Sequence, residues 1–334
     1  MSNMPTINQM YTFRKQYEKE REIGIEIEME GENIYIDNTR VWRSDGDGSL
    51  RGEATEYILT HPIPIETVEN TLQTLIDTVR KQQGRYTFNP SDRCGVHVHI
   101  NVQHMTFNEL FNFMFLYLLM EKVLVSYCGE SREGNLYCLR SSDAEYFIDR
   151  IIDVKRYSEL DYLTKNDRNE LRYSSMNPEA IRKFGSVEFR SLRTPHNLLD
   201  IKEWVDILYQ VKTASLMFDE PKSFIEHYSF RGEEGFFKDI MGEKLAKVLY
   251  AQVPEVDQKV LDGIRLTQDI AYTPSIQHPA TNMDVGMQPR RNLGERLREN
   301  VRHVGGFDLG AYEMGRLERG EFLPPVDEVE GIDE

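Results

Sequence analysis

The chain has 334 residues, and its 56 Asp and Glu against 40 Lys and Arg leave a formal charge of −16. With 40% hydrophobic and 10% aromatic residues it can bury a sizeable core, which excludes wholesale disorder and allows one large domain or two ordinary ones. The acid surplus repels phosphate backbones and anionic headgroups, so nucleic acid is disfavoured as a partner and no membrane contact is expected. The longest apolar run, Phe113 to Met120, ends at Glu121 and Lys122, well short of the roughly 20 residues a span requires. No basic-then-apolar leader is visible. The three cysteines, Cys94, Cys128 and Cys138, lack zinc-site spacing, and together these features predict reduced thiols and a cytoplasmic protein.

In chain order, residues 1–22 read as a polar N-terminal arm. From Ile23 the apolar residues Ile23, Ile25, Ile27 and Met29 alternate with Gly24, Glu26, Glu28 and Glu30, the period of a strand with one apolar and one acidic face. Asp45-Gly46-Asp47-Gly48-Ser49 predicts a turn, and Glu53 to Thr60 a second strand closed by His61-Pro62-Ile63-Pro64. Residues 65–83 have helical spacing and stop at Gly84. Gly95 to Val102 alternates again, with Val96, Val98 and Ile100 opposite His97, His99 and Asn101. Thr106, with Glu109 three residues on, predicts the capped start of a very apolar helix reaching Tyr127, read as a core helix and not a partner-binding stripe.

Further along, a helix is expected near Ala144 to Ile152, a strand at Val187 to Ser191, and helices at Leu199 to Phe218 and Phe236 to Tyr250. Arg290, Arg291, Arg296, Arg298 and Arg302 are interspersed with Glu295 and Glu299, which favours a mixed-charge helix over a nucleic-acid contact. Residues 251–334 read as a C-terminal extension whose acidic end is a disordered, solvated tail.

Three strand faces carry chemistry. Glu26 and Glu28 project from one face, roughly 7 Å apart at the backbone. At an effective dielectric of about 20, two unit charges 4 Å apart repel by about 4 kcal/mol, so a covered acidic face needs cations, and carboxylate oxygen favours magnesium or manganese. His97 and His99 share one side of their strand, where one imidazole can ligate a metal and the other support it or meet a substrate. Glu188 and Arg190 pair a carboxylate with a guanidinium, as suits a metal beside a phosphoryl group. Each pair alone also fits a solvated surface or an ordinary ion pair; one sheet backed by helices explains all three.

Together these residues resemble the putative amidoligase family. The resemblance rests on Gly24-Ile25-Glu26-Ile27-Glu28, Asp47-Gly48-Ser49, Glu56 ahead of a Pro-containing turn, Gly95-Val96-His97-Val98-His99, Arg172-Tyr173 with Asn177, and Glu188-Phe189-Arg190. It spans roughly residues 23–215, within an expected catalytic domain of 23–250. The turn after the second strand, Thr60-His61-Pro62-Ile63-Pro64, departs from the family's Pro-Pro, which leaves Glu53 and Glu56 competing as the ligand.

That family is similar to glutamine synthetase and γ-glutamylcysteine ligase. The resemblance implies an α+β fold with a curved antiparallel sheet, helices on one face and a concave face binding ATP and two or three Mg2+ or Mn2+ ions. It implies Glu26, Glu28, Glu56, His97 and Glu188 as metal ligands. His99, Arg190, Arg193 and Asn177 would serve the nucleotide, and Arg190, Asp47 and Arg172 the reaction. The activity implied is an ATP-dependent carboxylate–amine ligase working through an acyl phosphate, with an amino acid, peptide or protein tail as substrate; an oligomer is compatible. Rival readings are a kinase of the same fold acting on a guanidinium or carboxylate, a metal-dependent phosphoesterase, and a non-catalytic nucleotide- or metal-binding descendant.

Overall fold

The computed structural model describes residues 5–13, 17–46, 48–135, 138–143, 147–164 and 170–275. All of these lie in the first of two compact units, Met1–His278; the second is Pro279–Glu334. Asp47, the side chain of Arg172, the basic stretch from 290 and the acidic end lie outside the described residues.

In chain order the elements begin with α1 (Ile7–Met10), β1 (Glu22–Glu32), β2 (Trp42–Asp45), β3 (Ala54–Leu59), β4 (Ile63–Pro64), α2 (Val68–Gln83), β5 (Thr87–Phe88) and β6 (Gly95–Asn101). They continue with α3 (Phe107–Tyr127), α4 (Phe147–Tyr157), α5 (Asp161–Thr164), β7 (Met176–Asn177), α6 (Glu179–Phe184), β8 (Ser186–Arg193), α7 (Ile201–Ser215), α8 (Pro221–Gln252) and α9 (Val256–Tyr272). The fold is α+β. One open sheet runs β2-β3-β1-β6-β8-β7, every pairing antiparallel, with β4 and β5 attached to the two ends of β1.

Alternation builds the sheet's two faces. Ile25, Ile27, Met29, Val96, Val98, Val187 and Phe189 are all 0–1% exposed on the apolar side. There Phe113 and Tyr117 of α3 set their rings 5.7 and 4.7 Å from that of Phe189. α3 starts at the expected box: the Glu109 amide donates to Thr106 Oγ1 (3.4 Å) and the Thr106 amide to Glu109 Oε2 (2.7 Å). By length and composition this helix could cross a membrane, but 83% of its most apolar window is buried, as befits the central helix of a core.

Three expectations change. Trp42–Asp45, read as the approach to a turn, is an edge strand, because Trp42 and Ser44 alternate inward with Arg43 and Asp45 outward. The helix expected at Phe236 to Tyr250 lies within Pro221–Gln252, a helical stretch broken at Gly232 (φ 69°) and Gly242 (φ 71°), left-handed conformations that glycine tolerates. Val256–Tyr272, in the segment read as an extension, is a helix packed on α3: a Cβ at Gly263 would lie 1.8 Å from the Leu119 carbonyl oxygen.

Candidate active site

The second face of the sheet gathers the chemistry. In the β1–β6 register Glu26 faces His97 and Gly24 faces His99; in β1–β3, Glu28 faces Glu56. Glu188 pairs with both His99 and Asn177. Directly opposed residues share a side, so four strands deliver one cluster. His97 sits at its centre, Nδ1 3.4 Å from Glu26 Oε2 and 3.6 Å from Glu188 Oε1, Nε2 3.6 Å from Glu28 Oε1. Arg190 Nη1 donates to Glu188 Oε1 at 2.5 Å and lies 3.4 Å from His97 Nδ1.

This face is not a solvated acidic surface. Glu28, His97, His99 and Glu188 are 5–7% exposed, whereas the Glu26 side chain keeps 27% of its surface. Like charges so confined persist only with compensating cations. Burial pushes the Glu26 carboxyl up, but the imidazoles of His97 and His99 outweigh it and hold it well below the usual range. Glu188 is likewise lowered despite burial, by Arg190 and both histidines. Burial pushes the His99 imidazole down, and Glu26 and Glu188 raise it overall. The Arg190 guanidinium is raised against its burial by Glu188.

Main-chain and side-chain donors fix these groups. The Gly95 amide donates to Glu28 Oε2 (2.7 Å), and a Cβ at Gly95 would come within 2.8 Å of Arg132 Nη2. Asn177 donates to Glu188 Oε2 (2.7 Å) and accepts from the Glu179 amide (3.0 Å), so it orients Glu188 and has both ends engaged. The Ser186 hydroxyl meets His99 Nδ1 at 3.1 Å. Arg193 pairs with Asp92 (3.2 Å) near the surface. Glu56, Glu26 and His97 bring one donor atom each within 4.8 Å of one another, whereas Glu53 precedes the strand, is exposed and accepts from the Ile34 amide. On this geometry Glu56 is the second-strand residue at the site.

Sequence reasoning missed Arg132. Only 2% exposed, it donates from Nε to the Ser191 carbonyl (2.8 Å), from Nη2 to those of Leu192 (3.0 Å) and Arg190 (3.3 Å), and from Nη1 to that of Asp92 (3.3 Å). These carbonyls border the register shift between Val96 and Val98, where β8 carries an extra residue, so Arg132 clamps the bulge beside Arg190. It lies in a polar stretch without periodicity, and no local signal marks it. Ser186 was hidden for another reason: its role exists only across the β6–β8 pairing.

The donor set fits hard divalent cations. Glu26, Glu56 and His97 form one group of compatible ligand atoms, and Glu26, His99 and Glu188 a second. Among the described residues, two buried polar atoms on this face, His99 Nε2 and Arg190 Nε, have no hydrogen-bond partner and are available to a ligand. Residues 53–209 match the family model described as "Putative amidoligase enzyme". That span contains Glu56, both histidines, Asn177, Glu188 and Arg190, while the fold adds Glu26 and Glu28 from outside it. No curated protein matches the chain.

Proposed function

We propose, from the match of residues 53–209 to the family model described as a putative amidoligase enzyme, that the protein is an ATP-dependent carboxylate–amine ligase with a glutamine synthetase-like catalytic sheet. The observation that carries this reading is the convergence of Glu26, Glu28, Glu56, His97, His99, Glu188 and Arg190 from four strands onto one largely buried face.

A carboxylate is a poor acyl donor because its leaving group is oxide. In the proposed reaction a carboxylate oxygen attacks the γ-phosphorus of ATP, and the bond to the bridging oxygen of ADP breaks. The amine nitrogen then attacks the acyl carbon, phosphate leaves with the bonding pair, and the nitrogen gives up a proton to form the amide. Glu26, Glu28, Glu56, His97 and Glu188 would hold two or three Mg2+ or Mn2+ ions, which when bound neutralise phosphate charge and polarise the transferring group.

The chain's own residues orient and stabilise. Arg190, fixed by Glu188, retains an unpartnered Nε–H for a phosphoryl oxygen, a charge-assisted bond that strengthens as negative charge spreads. Asn177 and the Gly95 amide hold Glu188 and Glu28, and Ser186 holds the His99 ring. Burial of the cluster excludes water that would hydrolyse an activated acyl group.

The test is ADP release with magnesium across a panel of acids and amines, with mass detection of the condensed product. ADP formation that requires both substrates and yields an amide supports the reading. A stable phosphorylated product would point to a kinase, and phosphate release without ATP to a phosphoesterase.

A further inference from the structure

Beside the cluster, the same face of the sheet contains a pocket that shares Glu26 with the proposed metal site and is otherwise lined by residues the metal and phosphoryl chemistry does not use. Its floor is Gly24, Glu26 and His99. Along β1 the residues on this face run Gly24, Glu26, Glu28, Glu30, and the missing side chain at Gly24 leaves the space open, since even a Cβ there would lie 3.3 Å from His99 Cβ. Tyr17, Ile58, Pro62 and Phe184 line it as well, the Phe184 ring standing edge-on to the His99 imidazole with centroids 5.7 Å apart. His61, also in the lining, is exposed, in the turn that departs from the family's Pro-Pro.

The inner end is polar. Among the described residues His99 Nε2 is buried without a hydrogen-bond partner, and Glu26 Oε1 lies 3.7 Å from it. Nδ1 is already engaged by Ser186, so Nε2 is the ring atom left for a ligand. An apolar sleeve that ends at an ionised carboxylate matches a group with hydrocarbon along its length and positive charge at its tip. A primary ammonium satisfies both inner atoms, because it has N–H donors for Glu26 Oε1, the oxygen on the His99 side, and for His99 Nε2. Ammonia would leave the walls unfilled, and an alcohol would bring no positive charge to Glu26.

We infer that this pocket is the amine-substrate subsite, and that its occupant is an alkyl primary amine, an aminoalkyl chain inserted tip-first toward Glu26 and His99. The inference rests on the ligase reading and deepens it by naming the class of amine; it also reassigns His99 from the phosphates to the amine.

The experiment uses the full chain and n-pentylamine, followed by ligand-observed NMR titration, with ammonium chloride, 1-pentanol and adenosine as comparison ligands. Mg2+–ATP binding is measured separately by calorimetry. Pentylamine is expected to bind at least tenfold more tightly than ammonium or pentanol. His61→Trp, at an exposed lining position, should weaken it about tenfold with Mg2+–ATP affinity unchanged, and Gly24→Val should abolish it. Ammonium binding as tightly as pentylamine, adenosine displacing pentylamine, or pentylamine affinity unchanged in both variants would each overturn the inference while leaving the ligase reading intact. Failure of the wild-type protein to bind Mg2+–ATP would instead count against the ligase reading.

Discussion

The site is held by residues that a composition-based reading passes over. Arg132 joins two segments around the β8 bulge through main-chain carbonyls, so its removal strands several buried acceptors at about 1–3 kcal/mol each. Arg132→Met is therefore expected to lower unfolding free energy by roughly 2–4 kcal/mol in urea titration, whereas Arg193→Met, which breaks only a half-exposed pair with Asp92, should cost under about 1 kcal/mol. Equal effects would show that the clamp is dispensable. A second buried group sets a pH dependence. Burial pushes the Glu121 carboxyl up to about 7, against hydrogen bonds from Ser175 and Ser141. The folded chain thus takes up this proton more readily than the unfolded one. The associated stability is complete below the unfolded value near 4.5 and is lost as pH rises to about 7. Stability measured across that interval should fall by up to about 3 kcal/mol from this group, and Glu121→Gln should flatten the profile; an unchanged slope would remove Glu121 as its source.

At the level of elements, alternation decides which groups can meet and helix packing decides whether they are held. The paired faces of β1, β3, β6 and β8 align because every pairing is antiparallel and in register, apart from the one bulge. α3 supports the sheet from behind, and α9 crosses α3 so closely that Gly263 nearly touches the Leu119 carbonyl. Gly263→Val should cost at least about 3 kcal/mol in thermal or chemical unfolding, since the helices must separate to admit the side chain. Thr106→Ala, which loses the α3 cap, should cost about 1 kcal/mol. If the glycine change proved as mild as the cap change, the crossing would be looser than described.

Across the whole molecule, the acid surplus of the sequence has a local component: Glu26, Glu28, Glu56 and Glu188 crowd one sheet face among two imidazoles and a guanidinium. On the ligase reading Mg2+ with a nucleotide should stabilise the folded chain, by about 2.7 kcal/mol at a hundredfold excess over the dissociation constant. A melting temperature unmoved by Mg2+–ATP would contradict that reading. The sequence by itself determined β1, β3, β6 and β8 and which of their faces were apolar, because period-2 alternation such as that at Ile23 to Met29 and Val96 to Ile100 depends only on neighbours along the chain. It likewise placed the α3 cap and proposed Glu26, Glu28, His97, His99, Glu188 and Arg190. Only the tertiary structure set Glu56 beside Glu26 and His97, brought Arg132 beneath the bulge, set Ser186 against His99 and left a pocket over Gly24. Those relations join residues far apart in the chain, 87 positions for Ser186 and His99 and more across the pocket, and the strand register and close packing that create them leave no periodic trace in any one segment.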